Sequence, residues 1–270
     1  MPASLDLAAR LAVAIELARR VGRVANAFRA TADAVALRVE NKGLQDFVTI
    51  ADRQAEQTIR AEVAAHFPAD GFVGEEGGGA QAGQATWVVD PIDGTTNFIR
   101  GLRHWGVSMA VVAAGKVQIG VVYDAAVDQV YSACRGCGAH KDGIPITASR
   151  LTDPRQALAI LGHSRRTDFE DYLKIARGLY DLGIDYRRMG AGAIGLVRVA
   201  DGIADLYFEA HLFGWDMLAG ALIAQEAGAQ VLIPPLQRAL GPGGPVLAVA
   251  AGLNAKLAFL REACGAGVPV

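Results

Sequence analysis

Two aspartates, Asp90 and Asp93, stand three residues apart in the stretch WVVDPIDGTTNFIRGLRHWG, directly after an apolar run. A core rejects both charges unless something positive holds them. The strand WVVD delivers Asp90 at its tip, and Pro91 forces a turn that brings Asp93 round to the same side. Carboxylates this close repel unless a cation lies between them, and oxygen-only ligands suit Mg²⁺. Gly94 lets a ligand approach the backbone. A helix starting at Thr95, with Asp93 as its N-cap, would turn free amides toward a phosphate. One turn could therefore hold metal ions and the phosphate they act upon. Read singly, Asp93 is an ordinary N-cap and Asp90 a strand-end residue, so the turn needs partners.

Two segments supply them. GEEGG places Glu75 and Glu76 after a strand, among glycines that leave a site open. Adjacent residues on an extended segment face opposite ways, so one of the two is the ligand. In GWDMLAG, Asp216 begins a helix behind Gly214. Alone it reads equally well as a helix-start acid that complements the macrodipole.

Taken in order, G-E-E, then W-V-V-D-P-I-D-G-T-T-N-F, then W-D resembles the inositol monophosphatase family of Mg²⁺-dependent, lithium-sensitive phosphomonoesterases. The resemblance runs from about Lys42 to Gly228. It implies a layered αβαβα sandwich of the inositol monophosphatase and sugar phosphatase type. It also implies a homodimer whose partner is a small phosphorylated metabolite, while the lack of a basic leader or a membrane-length apolar run reads as cytoplasmic. Glu75, Asp90 and the Ile92 carbonyl would serve a first metal, with Asp90 bridging to a second held by Asp93 and Asp216. Such a pair clamps the entering and leaving oxygens of an in-line displacement.

By the same resemblance, Asp52 in D-F-V-T-I-A-D pairs with Thr95 to position and deprotonate water, although Asp52 could also simply cap its helix. Glu75 joins them as a catalytic group. Gly94, Thr95 and Lys42 face the phosphate. Ala191 and Gly192 in RRMGAGAIGL offer backbone contacts to the substrate ring, with Glu209 accepting from ring hydroxyls and Ser164 nearby. The threonine usual before the ring-facing alanine is missing, so chemistry is better supported than substrate. Myo-inositol 1-phosphate leads. Histidinol phosphate, fructose 1,6-bisphosphate and phosphoadenosine phosphate remain alternatives, as does a regulatory dimer that reuses a phosphatase fold.

These residues need a frame to hold them. An amphipathic N-terminal helix and a second helix from about Asp52, with Ala55, Ile59 and Val63 on one face, precede the strands GFVG and WVVD. GVSMAVV, VQIGVVYD and QVYSAC read as an antiparallel meander. From ALAILG onward, strands alternate with helices, which favours an α/β layer. The boundary falls near Ser149, giving an α+β half (1–149) that carries the metal turn and an α/β half (150–270) that carries the substrate-facing loop, in one catalytic unit. GEEGGGAQAG and GPGGP read as loops.

Composition narrows the function classes. With 52% hydrophobic residues among 270, a sizeable core is available. A net charge of -2 gives no basic footprint for nucleic acid. No apolar run is long enough for a bilayer, and no basic leader precedes the first helix. Cys134 and Cys137 form a C-x-x-C without the second pair that a zinc site needs. The five histidines lack ligand spacing, and His104 is expected to pack.

Overall fold

The computed structural model describes residues 5–32, 39–43 and 46–270, with the side chains of residues 41–48 outside that description. Helix α1 (Leu7–Thr31) starts where the Asp6 carboxylate accepts from the Ala9 amide at 2.9 Å. Its buried stripe of Ala14, Leu17, Ala18, Val21 and Ala25 has helical spacing. A short antiparallel ribbon, β1 (Glu40–Gly43) and β2 (Asp46–Val48), leads to α2 (Ile50–His66). Thr49 is the N-cap of α2 and Asp52 closes a capping box on it, so the helix begins two residues before Asp52. Ala55, Ile59 and Val63 are buried on its inner face, as their spacing predicts.

The first sheet has eight strands. In chain order they are β3 (Gly71–Gly74), β4 (Gly78–Ala80), β5 (Ala85–Asp93), β6 (Gly106–Ala113), β7 (Lys116–Asp124), β8 (Gln129–Cys134), β9 (Ala139–Lys141) and β10 (Ile144–Ile146). The spatial order is β10-β9-β8-β7-β6-β5-β3-β4. The expected meander forms β6 to β8, but the sheet is mixed because β3 runs parallel to β5. Within GEEGGGAQAG the chain also forms β4, in place of a plain loop. Between β5 and β6 lies the short α3 (Thr95–Arg100).

The strands of the second sheet alternate with α4 (Phe169–Asp181), α5 (Gly192–Ala200) and α6 (Gly214–Glu226). Its strands are β11 (Leu158–Leu161), β12 (Asp185–Arg187), β13 (Leu206–Leu212), β14 (Gln230–Leu232) and β15 (Gly244–Val249), in the order β12-β11-β13-β15-β14. β11 is parallel to both neighbours, while β15 is antiparallel to both of its own. Two short helices, α7 (Leu236–Ala239) and α8 (Ala258–Ala263), lie in the C-terminal part.

Three apolar clusters define five layers. Trp87, Val89, Met109 and Val121 pack under α1 and α2 on one face of the first sheet. Val88, Ala110 and Val122, on its other face, meet α5, α6 and then Ile160, Tyr207 and Val246 of the second sheet. The outer face of that sheet buries Leu161, Phe208 and Leu247 under α4 and α8. The fold is the αβαβα sandwich expected. Helix α6 is buried from Met217 to Ala224 on all sides, as a helix between two sheets must be. Tyr207 and Phe208 point to opposite faces of β13, following strand alternation. All three cysteines are free. Among the described residues no helix is long and apolar enough to cross a membrane.

Candidate active site

The site lies where strand ends of the first sheet meet helix starts of the middle layer. Strand β5 is buried along its whole length, so its terminal aspartates begin in the core. Its pairing to β6 shifts between Asp90↔Ser108 and Asp93↔Gly106, one residue longer on the β5 side. Pro91 falls in that bulge, where a missing N–H costs no ladder bond, and the bulge re-aims the aspartates. Asp90 keeps its carboxylate folded over the turn by accepting from the Ile92 amide at 2.9 Å.

Parallel pairing brings the second carboxylate alongside. Gly74 of β3 is level with Val89, and the Glu75 amide donates to the Val89 carbonyl at 3.1 Å. Glu75 therefore emerges next to Asp90. Asp216, third in α6, accepts from the Phe213 amide at 2.9 Å, and the Ser108 hydroxyl ties the Trp215 carbonyl to β6 at 2.7 Å. Oxygens of Glu75, Asp90 and Asp216 all lie within 4.8 Å of one another. Of the GEE pair, Glu75 joins this group and Glu76 does not. The Glu76 amide donates to Glu56.

Burial and neighbouring carboxylates raise the proton affinity of Asp90 and Asp216. Asp90 stands well above the usual carboxylate range, first through burial and then through Glu75, Asp216 and Asp93. Asp216 is pushed up to about 7 by burial and by Asp93. A donor set of hard oxygens, partly buried and close together, fits a divalent cation such as Mg²⁺.

Asp93 does something the sequence reading did not anticipate. Gly94, with φ of 88°, takes the N-cap position of α3, and α3 has no side-chain cap. That left-handed residue turns Asp93 away from α3 and toward α5. There its oxygens accept from the Gly192 amide at 2.9 Å and the Ile194 amide at 3.2 Å. Asp93 thus caps a helix 99 residues away in the chain. Burial lifts its carboxyl to about 6, while those amides hold it down. The Gly192 amide, expected to face the substrate ring, is engaged by Asp93. Gly192 and Ala191 still line the cleft.

Asp52 and Thr95 meet as expected. The Thr95 hydroxyl lies 3.1 Å from Asp52 Oδ1 and 3.1 Å from the Ile92 carbonyl, so its single proton serves one acceptor at a time. Asp52 Oδ2 accepts from the Thr49 amide at 2.8 Å. Burial, opposed by these donors, raises the Asp52 pKa. Asp52 therefore closes the α2 capping box and faces Thr95 at once. Lys42 stands on β1, and its side chain falls outside the described ones.

A model of the inositol monophosphatase family matches residues 6–264. The chain belongs to that family. Nus factor SuhB of Vibrio cholerae is 35% identical over 225 residues, covering 82% of this chain and 84% of that protein. Inositol-1-monophosphatase of Rhizobium meliloti is 38% identical over 221 residues, covering 78% of this chain and 77% of its own. Among solved structures, the extragenic suppressor protein SuhB of Bartonella henselae superposes with a TM-score of 0.87 at 30% identity, covering 96% of this chain and 100% of that one.

In this inositol monophosphatase family member the carboxylates open onto a cleft of about 1190 Å³. Glu209, on β13, lines it beside Ala191 and Ser164. The Tyr207 hydroxyl donates to Glu209 Oε2 at 2.6 Å, and burial raises the Glu209 carboxyl to about 7. Gly162 makes room for it, since a Cβ there would stand 2.0 Å from Glu209 Oε2.

Sequence reasoning missed three supports. Asn97 donates to the carbonyls of His104 and Met189, at 2.7 Å and 2.8 Å, and so pins the 188–191 loop to the metal turn. Buried Glu56 receives the amides of Glu76 and Gly77 and pairs with Arg60, which fixes the β3–β4 turn that carries Glu75. Thr49 holds Asp52. Glu56 follows Asp52 by one helical turn on the buried face, a legible signal because a core acid needs a partner. His104 is partly buried, and burial lowers its pKa, which agrees with packing.

Proposed function

We propose that this chain is a Mg²⁺-dependent phosphomonoesterase of small polyol or sugar-like phosphates, with myo-inositol 1-phosphate the first substrate to test. The observation that carries the reading is the meeting of Glu75, Asp90 and Asp216 oxygens within 4.8 Å at the floor of a cleft. These three, with the Ile92 carbonyl and Asp93 at the margin, are the residues that would hold the cation. Bound there, Mg²⁺ would stabilise charge on phosphoryl oxygens and lower the pKa of a bound water.

The chain's own groups do the rest. Thr95 orients a water toward the phosphorus, and Asp52, held by Thr49 and raised by burial, takes its proton at Oδ1. Asp93 fixes the start of α5, so that Ala191 presents its backbone to the substrate ring. Glu209 accepts from ring hydroxyls, with Tyr207 holding one of its oxygens in place. Gly94 and Thr95 border the phosphate position.

The test is phosphate release from myo-inositol 1-phosphate, titrated with Mg²⁺ and then with excess chelator. Turnover that needs Mg²⁺ is expected, with Ca²⁺ competing and Li⁺ inhibiting. Full activity in chelator would overturn the reading. Histidinol phosphate, fructose 1,6-bisphosphate and phosphoadenosine phosphate belong in the same panel. Because the Vibrio relative is named a Nus factor, a binding-only role on this fold is the second reading. The intact carboxylate group weighs against it, since a site retired from catalysis need not keep buried charges together.

A further inference from the structure

One motif plays no part in the cleft: the C-R-G-C of Cys134 to Cys137, at the turn between β8 and β9. Among the described residues the group of His, Cys, Asp and Glu positioned for a metal is Glu75, Asp90 and Asp216, which leaves these two thiols to redox chemistry. Cys134 ends β8 and is held on the ladder opposite Ile119 of β7, packed against the cluster under α1. Cys137 stands on the loop and is exposed. The Cys137 amide donates to the Cys134 carbonyl at 2.9 Å, which closes a β-turn. Such a turn keeps its end Cα atoms under about 7 Å apart, and a disulfide spans roughly 4.4–6.8 Å. The Cys134 thiol is raised by burial and then by Cys137, whose sulfur is near enough to act on it by charge and hydrogen bond.

The loop between the two thiols has a fixed shape. Gly136 and Gly138, flanking Cys137, take φ of 78° and 76°, which residues with side chains rarely adopt. Their amides share one carboxylate: Gly136 donates to Glu226 Oε1 and Gly138 to Glu226 Oε2, each at 2.9 Å. Glu226 is the last residue of α6, so a helix buried between the two sheets clamps the loop that carries the exposed sulfur. Cys264, by contrast, is buried, and burial pushes its thiol up to about 12, which keeps it protonated at neutral pH. No helix starts at this C-x-x-C, so it lacks the dipole that makes thioredoxin-type cysteines fast nucleophiles. That suits a reversible thiol sensor better than an oxidoreductase.

We propose that Cys134 and Cys137 form a reversible redox site, oxidised by peroxide to an intramolecular disulfide and restored by low-molecular-weight thiols. The exposed Cys137 thiolate attacks one peroxide oxygen, the O–O bond breaks and hydroxide leaves, giving the Cys137 sulfenic acid. Cys134 then attacks that sulfur, the S–O bond breaks, and a second hydroxide leaves as the S–S bond forms. The protons released by the two thiols convert both hydroxides to water. The thiols have lost two electrons and the peroxide has gained them. Two successive exchanges with an external thiol reverse the change. The site stands apart from the phosphatase reading, because neither sulfur lines the cleft.

The experiment treats the full folded chain with hydrogen peroxide, blocks the remaining thiols with N-ethylmaleimide and maps the cysteines by mass spectrometry. Wild type should lose two hydrogens as a bridge within one chain, with Cys264 still reduced, and should regain both thiols in dithiothreitol. Cys134→Ser should stop at a Cys137 sulfenic acid that dimedone traps, whereas Cys137→Ser should leave Cys134 largely unreacted. Glu226→Ala, which frees the loop, should slow closure about tenfold, since small misplacements of reacting atoms cost that much or more. Circular dichroism checks that this variant is folded. A bridge between two chains, a Cys137 carried on to sulfinic acid with Cys134 still open to the blocking reagent, or oxidation of Cys264 at an equal rate would overturn the site. So would closure as fast in Glu226→Ala as in wild type, because spacing alone would then account for it.

Discussion

The floor and the rim of the cleft are built on different plans. Four carboxylates of the floor are tied to backbone: Asp90 to the Ile92 amide, Asp93 to Gly192 and Ile194, Asp216 to Phe213, Asp52 to Thr49. Each tie sits at a strand end or helix start, so its position is set by regular elements packed into the layers. The rim is made of loop side chains, with Arg165 and Arg188 exposed and Met189 38% exposed. Groups that must hold one geometry grow from rigid elements, and groups that choose among substrates grow from loops. Changes in the floor should alter rate by orders of magnitude. Changes in the rim should alter which substrate is preferred.

The sharpest way to break that contrast is Asp90→Asn. It removes the charge at the centre of the carboxylate group and retains the Ile92 tie, so the fold should persist while turnover falls about 10³-fold. Near-normal phosphate release from a folded variant would show that the floor is not the reaction centre. Asp52→Asn comes next, with a loss of ~10²–10³-fold in kcat. Its Mg²⁺ dependence should stay near that of wild type, because Asp52 faces Thr95 and lies outside the Glu75–Asp90–Asp216 group. A large rise in the Mg²⁺ required would reassign it as a ligand.

The third change tests a support that the sequence reading missed. Glu56→Gln places an NH₂ where a carboxylate oxygen now receives an amide, and it removes the Arg60 ion pair. The turn bearing Glu75 should loosen, raising the Mg²⁺ needed for half-activity about tenfold to 100-fold with a smaller effect on saturated rate. A variant that lost rate at saturating Mg²⁺ and kept its metal dependence would contradict the positioning role.

The D-P-I-D-G-T-T-N-F turn was legible because its determinants are local: an apolar strand, a proline, a glycine. Long periodic elements were legible for the same reason, as in Ala55, Ile59 and Val63. What escaped is non-local or very short. The Asp93 cap on α5 spans 99 residues, so nothing near Asp93 announces it, and only the positive φ of Gly94 separates it from a local cap. The three-residue strands β4, β9, β10 and β12 exist through pairing with neighbours, and sequences such as GGA and IPI carry no strand period to read.

The smallest effect is the one on stability. In the folded chain Asp93 titrates at about 6 and Asp216 at about 7, against 3.8 for an ordinary aspartate, and Asp90 too stands well above 3.8. Raised carboxyls mean that the native state binds more protons than the unfolded chain between these values. Stability must then fall as pH rises from about 4 through about 7. A divalent cation replaces those protons, so its stabilisation should be largest at high pH and shrink toward pH 5. At 100 times its Kd, a ligand contributes about 2.7 kcal/mol. For a chain of this size that is roughly 5–10 °C in Tm. Exposed ion pairs titrate in the opposite sense and contribute little, so the measure is a difference. Tm is followed from pH 5 to 8, in chelator and in Mg²⁺, for wild type and for Asp90→Asn/Asp216→Asn. The double variant should show a smaller alkaline decline and lose the Mg²⁺ response, whereas Arg165→Ala in the rim should keep both in full. A wild type whose Tm in chelator matched the double variant at every pH would mean the floor carries no electrostatic strain for a cation to relieve.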